Sequence, residues 1–257
     1  MNSIVVEAMP MRTSSSAFAR SGVLLLGGSL FLCLSVAAAP PQRVERTFRV
    51  GENATLTVIN SSLHGSVTVR AWGRSEIRVL AEMASRSAIV DAHQEGQTVT
   101  VRLRKKGRAP LEAVHLTIDV PAQCAIEVST MGGPIVVEDV RGRVKAFTTS
   151  GNIELKGVTS PSIDAISCTD GNVILIGNLA PQGVYSLYSA GGVVEVVVPE
   201  TASFTLDAAT HEGRIDSGAF RFSSENRTAT HVEGIYGKGS SVLKLRTNFG
   251  HIRLRKK

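Results

Sequence analysis

Six histidines supply the side chains of this 257-residue chain that most readily bind a metal ion or move a proton. Three of them, His64, His211 and His251, lie within two residues of a glycine that recurs along the sequence. A zinc site would need two or three ligands converging within about 2 Å of one ion, and no other ligand cluster supports one. We therefore predict exposed positions for these three histidines and no metal site. The remaining three are His93, His115 and His231.

Carboxylate pairs are the second candidate for chemistry, because glycan-cleaving enzymes use two of them across a cleft. The candidates are Glu138, Asp139, Glu154, Asp170 and Asp216. They accompany short turns and do not recur at one position of the repeat described below, which argues against an enzyme. Neither Gly-x-Ser-x-Gly nor a phosphate-binding glycine fingerprint occurs, and the glycine-rich run at 234–240 is interpreted as a turn. No catalytic residue and no cofactor are predicted.

A short phrase recurs six times: a small residue, two variable positions, a glycine, and then apolar, polar and apolar residues. Thr148 to Leu155 is one copy. The phrase is centred on Gly133, Gly151, Gly171, Gly192, Gly213 and Gly250. Consecutive glycines are 18, 20, 21, 21 and 37 residues apart, and we interpret the last interval as close to two steps. A fixed period of this size is typical of strands stacked in a coil.

Alternating polarity within each copy assigns its side chains to two faces. Apolar residues on both sides of the corner glycine, and the hydroxyl residue before it, share one face and should line the interior. The interior set is Ile126, Val128, Thr130, Ile135, Val137, Val144, Ala146, Thr148, Ile153, Leu155, Val173, Leu175, Tyr185, Leu187, Ser189, Val194, Val196, Leu206, Ala208, Thr210, Leu243, Leu245, Thr247, Ile252 and Leu254. Stacked hydroxyls should hydrogen-bond to each other or to the corner backbone.

The predicted fold class is therefore all-β, a β-solenoid that is like a parallel β-helix with about 20 residues per rung. An antiparallel β-sandwich is the alternative, because short strands with frequent turns also suit it. One copy departs from the pattern, since Asp164 stands where an apolar residue is expected. We attribute this to a bulge near Pro161. Cys168 then takes the hydroxyl position, and we predict a small buried thiol there rather than a disulfide with Cys124.

The first 39 residues have the order of a secretory signal. Arg12 and Arg20 precede an apolar run of about 12 residues, too short to span a bilayer comfortably, and small residues follow. We predict cleavage after Ala38. The predicted division is a signal peptide at 1–39, strands leading into the solenoid at 40–121 and the regular repeat at 122–257, with 40–257 as one continuous domain. Within the leading section, 85–92 is interpreted as a short helix or a loop.

The chain has a net charge of +6, and its basic residues concentrate at 102–108 and 244–257. Apart from Phe249, neither segment has aromatic residues for stacking on bases, so nucleic acid is not a predicted partner. An anionic envelope polysaccharide or another envelope protein is, although a solvated face is the simpler interpretation of the same charge. The charged residues expected to point outward are Lys145, Glu154, Lys156, Arg214, Lys244, Arg246, Arg253 and Arg255.

The run of Gly-x-Ile/Val-x-Leu/Val copies, preceded by His115 to Pro121 and closed by Leu243 to Leu254, resembles the bacterial putative-adhesin domain of unknown function over roughly residues 50–255. The resemblance implies an exported β-solenoid with no known catalytic residues. We therefore expect a non-enzymatic, adhesin-like module in the periplasm or at the cell surface, with no transmembrane span after signal cleavage. A carbohydrate-active enzyme and a periplasmic scaffold or sensor domain are the alternatives.

Overall fold

The structure, a computed structural model, describes residues 42–61, 64–83, 88–107 and 113–257. Within these ranges every regular element is a β-strand. No helix among them is long and apolar enough to cross a membrane. The predicted signal peptide lies outside the described residues, and residues 40–257 form one compact unit.

The described residues of this unit contain twenty-one strands. They are β1 (Gln42–Arg49), β2 (Thr55–Asn60), β3 (Gly65–Trp72), β4 (Glu76–Met83), β5 (Ala88–Glu95), β6 (Thr98–Lys105), β7 (Val114–Pro121), β8 (Ala125–Gly132), β9 (Ile135–Glu138), β10 (Val144–Ser150), β11 (Ile153–Lys156), β12 (Ser162–Ser167), β13 (Val173–Ile176), β14 (Val184–Ser189), β15 (Val194–Val198), β16 (Phe204–Thr210), β17 (Ile215–Asp216), β18 (Ser224–Arg227), β19 (His231–Tyr236), β20 (Ser241–Thr247) and β21 (Ile252–Lys256).

The strands form two long sheets that face each other across one apolar core. The ten-strand sheet has the order β1-β4-β7-β3-β9-β11-β13-β15-β21-β17. The eleven-strand sheet has the order β18-β19-β16-β20-β14-β12-β10-β8-β2-β6-β5. From β8 to β17 the chain alternates between the sheets, so that one strand from each makes a rung of a coil. Neighbouring rungs pair in parallel, as in β8 with β10 and β9 with β11. The predicted β-solenoid is confirmed.

The rungs do not stack entirely in sequence order. In space they run β6–β7, β2–β3, β8–β9, β10–β11, β12–β13, β14–β15, β20–β21 and β16–β17. The last strands of the chain therefore insert between two earlier rungs, where β20 pairs with both β14 and β16. The 37-residue interval between Gly213 and Gly250 is thus not two steps of the coil. It contains β18 and β19, which leave the coil and pair antiparallel beside β16.

The interior is built as the alternation predicts. Every member of the predicted interior set is buried, and equivalent positions stack, as where Ala146 pairs with Val128 on one side and Ala165 on the other. The hydroxyl column also forms. Thr130 donates to Thr148 at 3.0 Å, and Ser189 donates to the Gly171 carbonyl oxygen at 2.7 Å while accepting from a corner amide. These bonds satisfy buried polar groups at the corners.

A column of glycines follows the same edge of the coil. A Cβ atom added to Gly171 would lie 1.7 Å from the carbonyl oxygen of Gly151, and one added to Gly133 would lie 1.6 Å from that of Gly65. Gly133 also has a φ of +86°, which only glycine adopts at low cost. Consecutive corners are therefore packed backbone against backbone, which explains why the repeat requires glycine there.

The interpretation of the third copy is wrong in two respects, the bulge near Pro161 and the burial of Cys168. Strand β12 pairs without interruption with β10 and β14, so no bulge is present within it near Pro161. Its buried residues are Ile163, Ala165 and Ser167, and Ser167 donates to the Gly151 carbonyl oxygen at 3.0 Å. The additional residue lies instead in the corner between Ser167 and the glycine. Cys168 is consequently exposed, and both it and the buried Cys124 are free thiols.

Antiparallel strands close both ends of the coil. At one end β4 pairs with β7, β1 with β4, and β5 with β6. The segment expected to be a helix or loop at 85–92 thus contributes to strand β5 from Ala88 onward.

At the other end of the coil, β19 includes Gly234 to Tyr236, so the predicted turn at 234–240 begins later than expected. Phe204, Phe220 and Tyr236 pack there with ring centroids 4.9–5.5 Å apart. These antiparallel strands extend the sheets beyond the parallel rungs, and β1, β5, β17 and β18 are the outermost strands.

Candidate interaction surface

The outer faces of the two sheets differ in chemistry. Seven large apolar side chains are exposed among the described residues, and six of them lie on strands of the eleven-strand sheet. These six are Ile59, Ile89, Met131, Phe147, Val184 and Ile235, while the seventh, Phe249, lies in a corner. On the ten-strand sheet the outward aliphatic side chains, such as Ile174 and Ile176, are only half-exposed. The eleven-strand sheet therefore has the more apolar of the two outer faces.

A row of apolar side chains crosses the middle of this face. Strand register places Phe147 of β10 beside Ile166 of β12, and Ile166 beside Tyr188 of β14. Ile59 continues the line on β2, with Ser129 of β8 between it and Phe147. We call Ile59, Phe147, Ile166 and Tyr188 the apolar row. Adjacent strands are about 4.8 Å apart, so Phe147, Ile166 and Tyr188 form a line of contact across three neighbouring strands, and Ser129 separates this line from Ile59. Phe147 is 40% exposed.

Charges of both signs run beside the apolar row. Two positions earlier on each strand, Glu127, Lys145 and Asp164 stand next to one another on β8, β10 and β12. Farther along the same line lie Ser186 and Lys244. Because these charges alternate in sign, this part of the face is neither mainly positive nor mainly negative. Such a surface resembles the mixed apolar and polar composition of protein interfaces more than a basic groove.

At the β18–β19 end of the face, four charged or titratable side chains form a cluster. Arg246 binds Asp207 through its guanidinium at 2.5 Å and also donates to the Asp207 carbonyl oxygen at 2.7 Å. The other Asp207 oxygen lies 3.1 Å from Nε2 of His231, and the same nitrogen is 3.6 Å from a Glu233 oxygen. Burial raises the pKa of Asp207, but hydrogen bonds from Arg246 and His231 outweigh it and leave that pKa lowered. The carboxylate is therefore held in its charged form.

A shallow groove of about 230 Å³ adjoins this cluster. Strands β16, β18 and β19 line it, because their outward side chains stand in register across the antiparallel pairs. The polar side chains on its walls are Thr205, Asp207, Ser224, Asn226 and Glu233. The groove is open to solvent and gives a small ion or ligand access to Asp207 and Glu233.

The histidines singled out by the sequence do not converge. His64 precedes β3 in the second rung, whereas His211 and His251 belong to the last two rungs of the stack. Nδ1 of His251 accepts a hydrogen bond from the Arg214 amide at 3.1 Å. The group of potential metal ligands in the described part of the chain is instead Asp207, His231 and Glu233. Sequence analysis missed it because an antiparallel pair outside the repeat brings these residues together, although the His-x-Glu alternation on one strand was visible.

Of the candidate carboxylates, Glu138, Asp139 and Glu154 lie on or beside the neighbouring strands β9 and β11, where Lys156 stands opposite Glu138, and the other two lie on other rungs. Glu154 binds Lys156 at 2.6 Å and Asp216 binds Arg255 at 2.7 Å, both on the ten-strand sheet. Asp170 lies in a corner between the sheets. These acids contact basic neighbours or solvent and do not face each other across a cleft.

Much of the C-terminal positive charge is neutralised locally. Arg246, Arg255 and Lys256 each bind a carboxylate, those of Asp207, Asp216 and Glu200 respectively. The eight charged residues expected to point outward are all exposed or half-exposed, as predicted. Because several of these charges are paired with carboxylates, however, the surface is less basic than the sequence suggests. Similarly, Arg104 in the other basic segment binds Asp91 at 3.1 Å.

The apolar row was also not recognised from the sequence. Its members Phe147, Ile166 and Tyr188 are separated by 19 and 22 residues, close to the period of the repeat. Alignment of the outward positions of successive copies would have revealed them. The one-residue insertion before Gly171 shifts Ile166 out of line in a simple alignment, which hides the row.

Residues 114–255 match the protein family described as Toastrack DUF4097. A putative cell adhesion protein from Clostridium sporogenes ATCC 15579 is similar in structure over 84% of this chain and 100% of its own, with a TM-score of 0.50 and 11% identity. A putative adhesin from Bacteroides fragilis NCTC 9343 matches 83% of this chain and 97% of its own, with a TM-score of 0.30 and 9% identity. A putative lipid binding protein from Parabacteroides distasonis ATCC 8503 matches 84% and 96%, with a TM-score of 0.32 and 9% identity. No curated protein matches the sequence.

Proposed function

The chain belongs to the Toastrack DUF4097 family, and we propose that it is a non-enzymatic, adhesin-like module of the cell envelope that binds its partner through the outer face of the eleven-strand sheet. The observation that carries this proposal is the concentration of exposed apolar side chains on one of two otherwise similar faces. A flat sheet with short corners presents a long and rigid surface, as solenoid proteins do when they bind extended partners.

The partner that suits this face is another envelope protein. The apolar row offers burial of Phe147 and Tyr188, and aromatic side chains of this kind anchor many protein interfaces. The flanking charges alternate in sign, so a matching partner would need an apolar strip bordered by charges of both signs. An anionic polysaccharide is less favoured, because Arg246, Arg255 and Lys256 are already bound to carboxylates.

Export is part of the proposal and rests on the sequence. Arg12, Arg20, the apolar run and the small residues ending at Ala39 have the order of a cleaved signal. We expect the mature protein to begin at Ala39 and to be recovered from the periplasm or the cell surface. Fractionation of the native host followed by mass spectrometry of the N-terminal peptide tests this. An intact N-terminus in the cytoplasm would contradict it.

The binding face is tested with two matched variants of the mature protein. The first carries Phe147→Ser and Tyr188→Ser in the apolar row, and the control carries Ile174→Ser and Ile176→Ser on the ten-strand sheet. Labelled protein is titrated onto envelopes from the native host. We expect the first variant to bind at least tenfold more weakly, because two anchors are lost, and the control to bind as wild type.

Pretreatment of the envelopes identifies the class of partner. Protease digestion should abolish binding, and 0.5 M NaCl should leave most of it, since apolar contacts are not screened by salt. Binding that survives protease but disappears with salt or with added anionic polysaccharide would indicate a glycan partner. Equal losses in the two variants would show that the eleven-strand sheet is not the binding face.

A further inference from the structure

In the cluster at the β18–β19 end of the eleven-strand sheet, the side chains are arranged in a way that ion pairs alone do not explain. Nε2 of His231 faces two carboxylate oxygens, one of Asp207 at 3.1 Å and one of Glu233 at 3.6 Å. An imidazole nitrogen carries at most one hydrogen, so it cannot donate well to both acceptors. A cation placed between the three atoms would satisfy all of them at once.

The separations suit a metal ion of ordinary size. Ligand atoms that lie about 2.0–2.1 Å from a tetrahedral ion are about 3.3–3.4 Å from each other. The two distances from Nε2 fall on either side of this value, and all three ligand atoms lie within 4.8 Å of one another. The Glu233 side chain is half-exposed to solvent, so a small rotation of it would close the third separation.

The neighbouring residues prepare Asp207 to act as a ligand. Arg246 holds one carboxylate oxygen and leaves the other directed toward His231. A contact of this kind fixes the orientation of a ligand, as the outer partners of many metal sites do. The cluster itself carries two carboxylates against one guanidinium, and Lys244 stands in register beside Asp207 on β20, so the local charge is close to balanced before an ion binds. The groove beside Asp207 and Glu233 allows an ion to enter and leaves room for water as a further ligand.

We propose that Asp207, His231 and Glu233 bind one divalent transition-metal ion, which links β16 to β19 and fastens the antiparallel strands onto the end of the coil. One imidazole nitrogen with two carboxylate oxygens suits zinc and its neighbours, whereas calcium and magnesium prefer oxygen ligands throughout. The site differs from the apolar row, and the proposal does not depend on what the protein binds there.

The test uses the mature protein without a polyhistidine tag. Zinc chloride is titrated into it by isothermal calorimetry after treatment with EDTA and dialysis. We expect one ion to bind per chain, and we expect zinc to raise the Tm while EDTA reverses the increase. Calcium chloride at the same concentration should produce neither effect.

Three variants locate the site. His231→Gln and Glu233→Gln should each weaken zinc binding at least tenfold and remove the increase in Tm, while His211→Gln, an exposed histidine outside the cluster, should bind as wild type. Both cluster variants alter exposed or half-exposed side chains, so their circular dichroism in EDTA should match that of the wild type. Absence of saturable zinc binding, or binding that His231→Gln leaves unchanged, would overturn the proposal. Equal weakening by His211→Gln would do so as well.

Discussion

At the scale of single residues, the fold depends on positions where no other side chain fits. Gly171 packs against the Gly151 carbonyl oxygen, and Ser189 joins two corner groups that would otherwise be buried without partners. The sequence predicted both roles, because glycine and a hydroxyl residue recur at fixed places in each copy. It failed at Cys168, because one additional corner residue moved the hydroxyl role to Ser167.

Gly171→Ala tests the packing of the corners. The added Cβ would lie 1.7 Å from a backbone oxygen, so two rungs must move apart. We expect a loss of about 3 kcal/mol in the free energy of unfolding, as for severe overpacking. Gly73→Ala is the control, because a Cβ there meets nothing within 4 Å, and it should change stability by less than about 0.5 kcal/mol. Urea denaturation measures both, and similar values for the two variants would contradict the packing described here.

Asp119→Asn tests the buried carboxylate of the ten-strand sheet. Asp119 is 5% exposed and binds Arg70 at 2.5 Å and Arg78 at 2.6 Å. Burial raises its pKa, but the two arginines outweigh burial, so the pKa lies below the ordinary value of 3.8. Stability from this group is therefore present above about pH 4 and is lost as the pH falls through the lowered pKa. The variant should be less stable by about 1–2 kcal/mol at pH 7.

The pH dependence provides the check for this residue. Urea denaturation at intervals between pH 7 and pH 2.5 should show the difference between wild type and Asp119→Asn shrinking below pH 4. A difference that stays constant down to pH 2.5 would mean that Asp119 does not contribute through its charge.

At the scale of elements, the strands that could be predicted from the sequence are those that belong to the repeat. Strands inside the coil have a neighbour of the same kind on each side, so their alternation is regular and readable. The end strands β5 and β18 pair on one side only, β19 pairs antiparallel on both sides, and the sequences of all three follow no repeat. The insertion of β20 and β21 between earlier rungs was not predictable either. Every rung has the same apolar pattern, so the pattern does not indicate which rungs are neighbours in space.

A shortened chain tests this insertion. Ending the protein at Gly239 removes β20 and β21 from the interior of both sheets, where β20 joins β14 to β16. In a simple array the remaining rungs would stay folded when the last one is removed. Here we expect the broad, non-cooperative thermal unfolding of a chain whose end rung has lost its support. A chain ending at Lys256 is the control and should unfold as wild type. A sharp transition in the shortened chain would contradict the rung order.

At the scale of the whole molecule, the two outer faces of the coil differ in their exposed apolar side chains. Both sheets pair part of their charges, as Glu154 with Lys156 on the ten-strand sheet and Asp207 with Arg246 on the eleven-strand sheet. The eleven-strand sheet exposes the apolar row. The sequence correctly predicted which charged residues point outward, but not that several are paired, since pairing depends on which rungs are neighbours. The apolar row on which the proposed binding face rests therefore became apparent only with the register of the strands.

Hydroxyl-radical footprinting tests the binding face most directly. Met131, Phe147 and Tyr188 on the eleven-strand sheet and Trp72 on the ten-strand sheet all oxidise readily when water reaches them. Oxidation is quantified by mass spectrometry for the mature protein, free and bound to envelopes of its host. We predict that the first three are protected on binding while Trp72 oxidises at an unchanged rate. Protection of Trp72 with no change at Phe147 and Tyr188 would contradict the account.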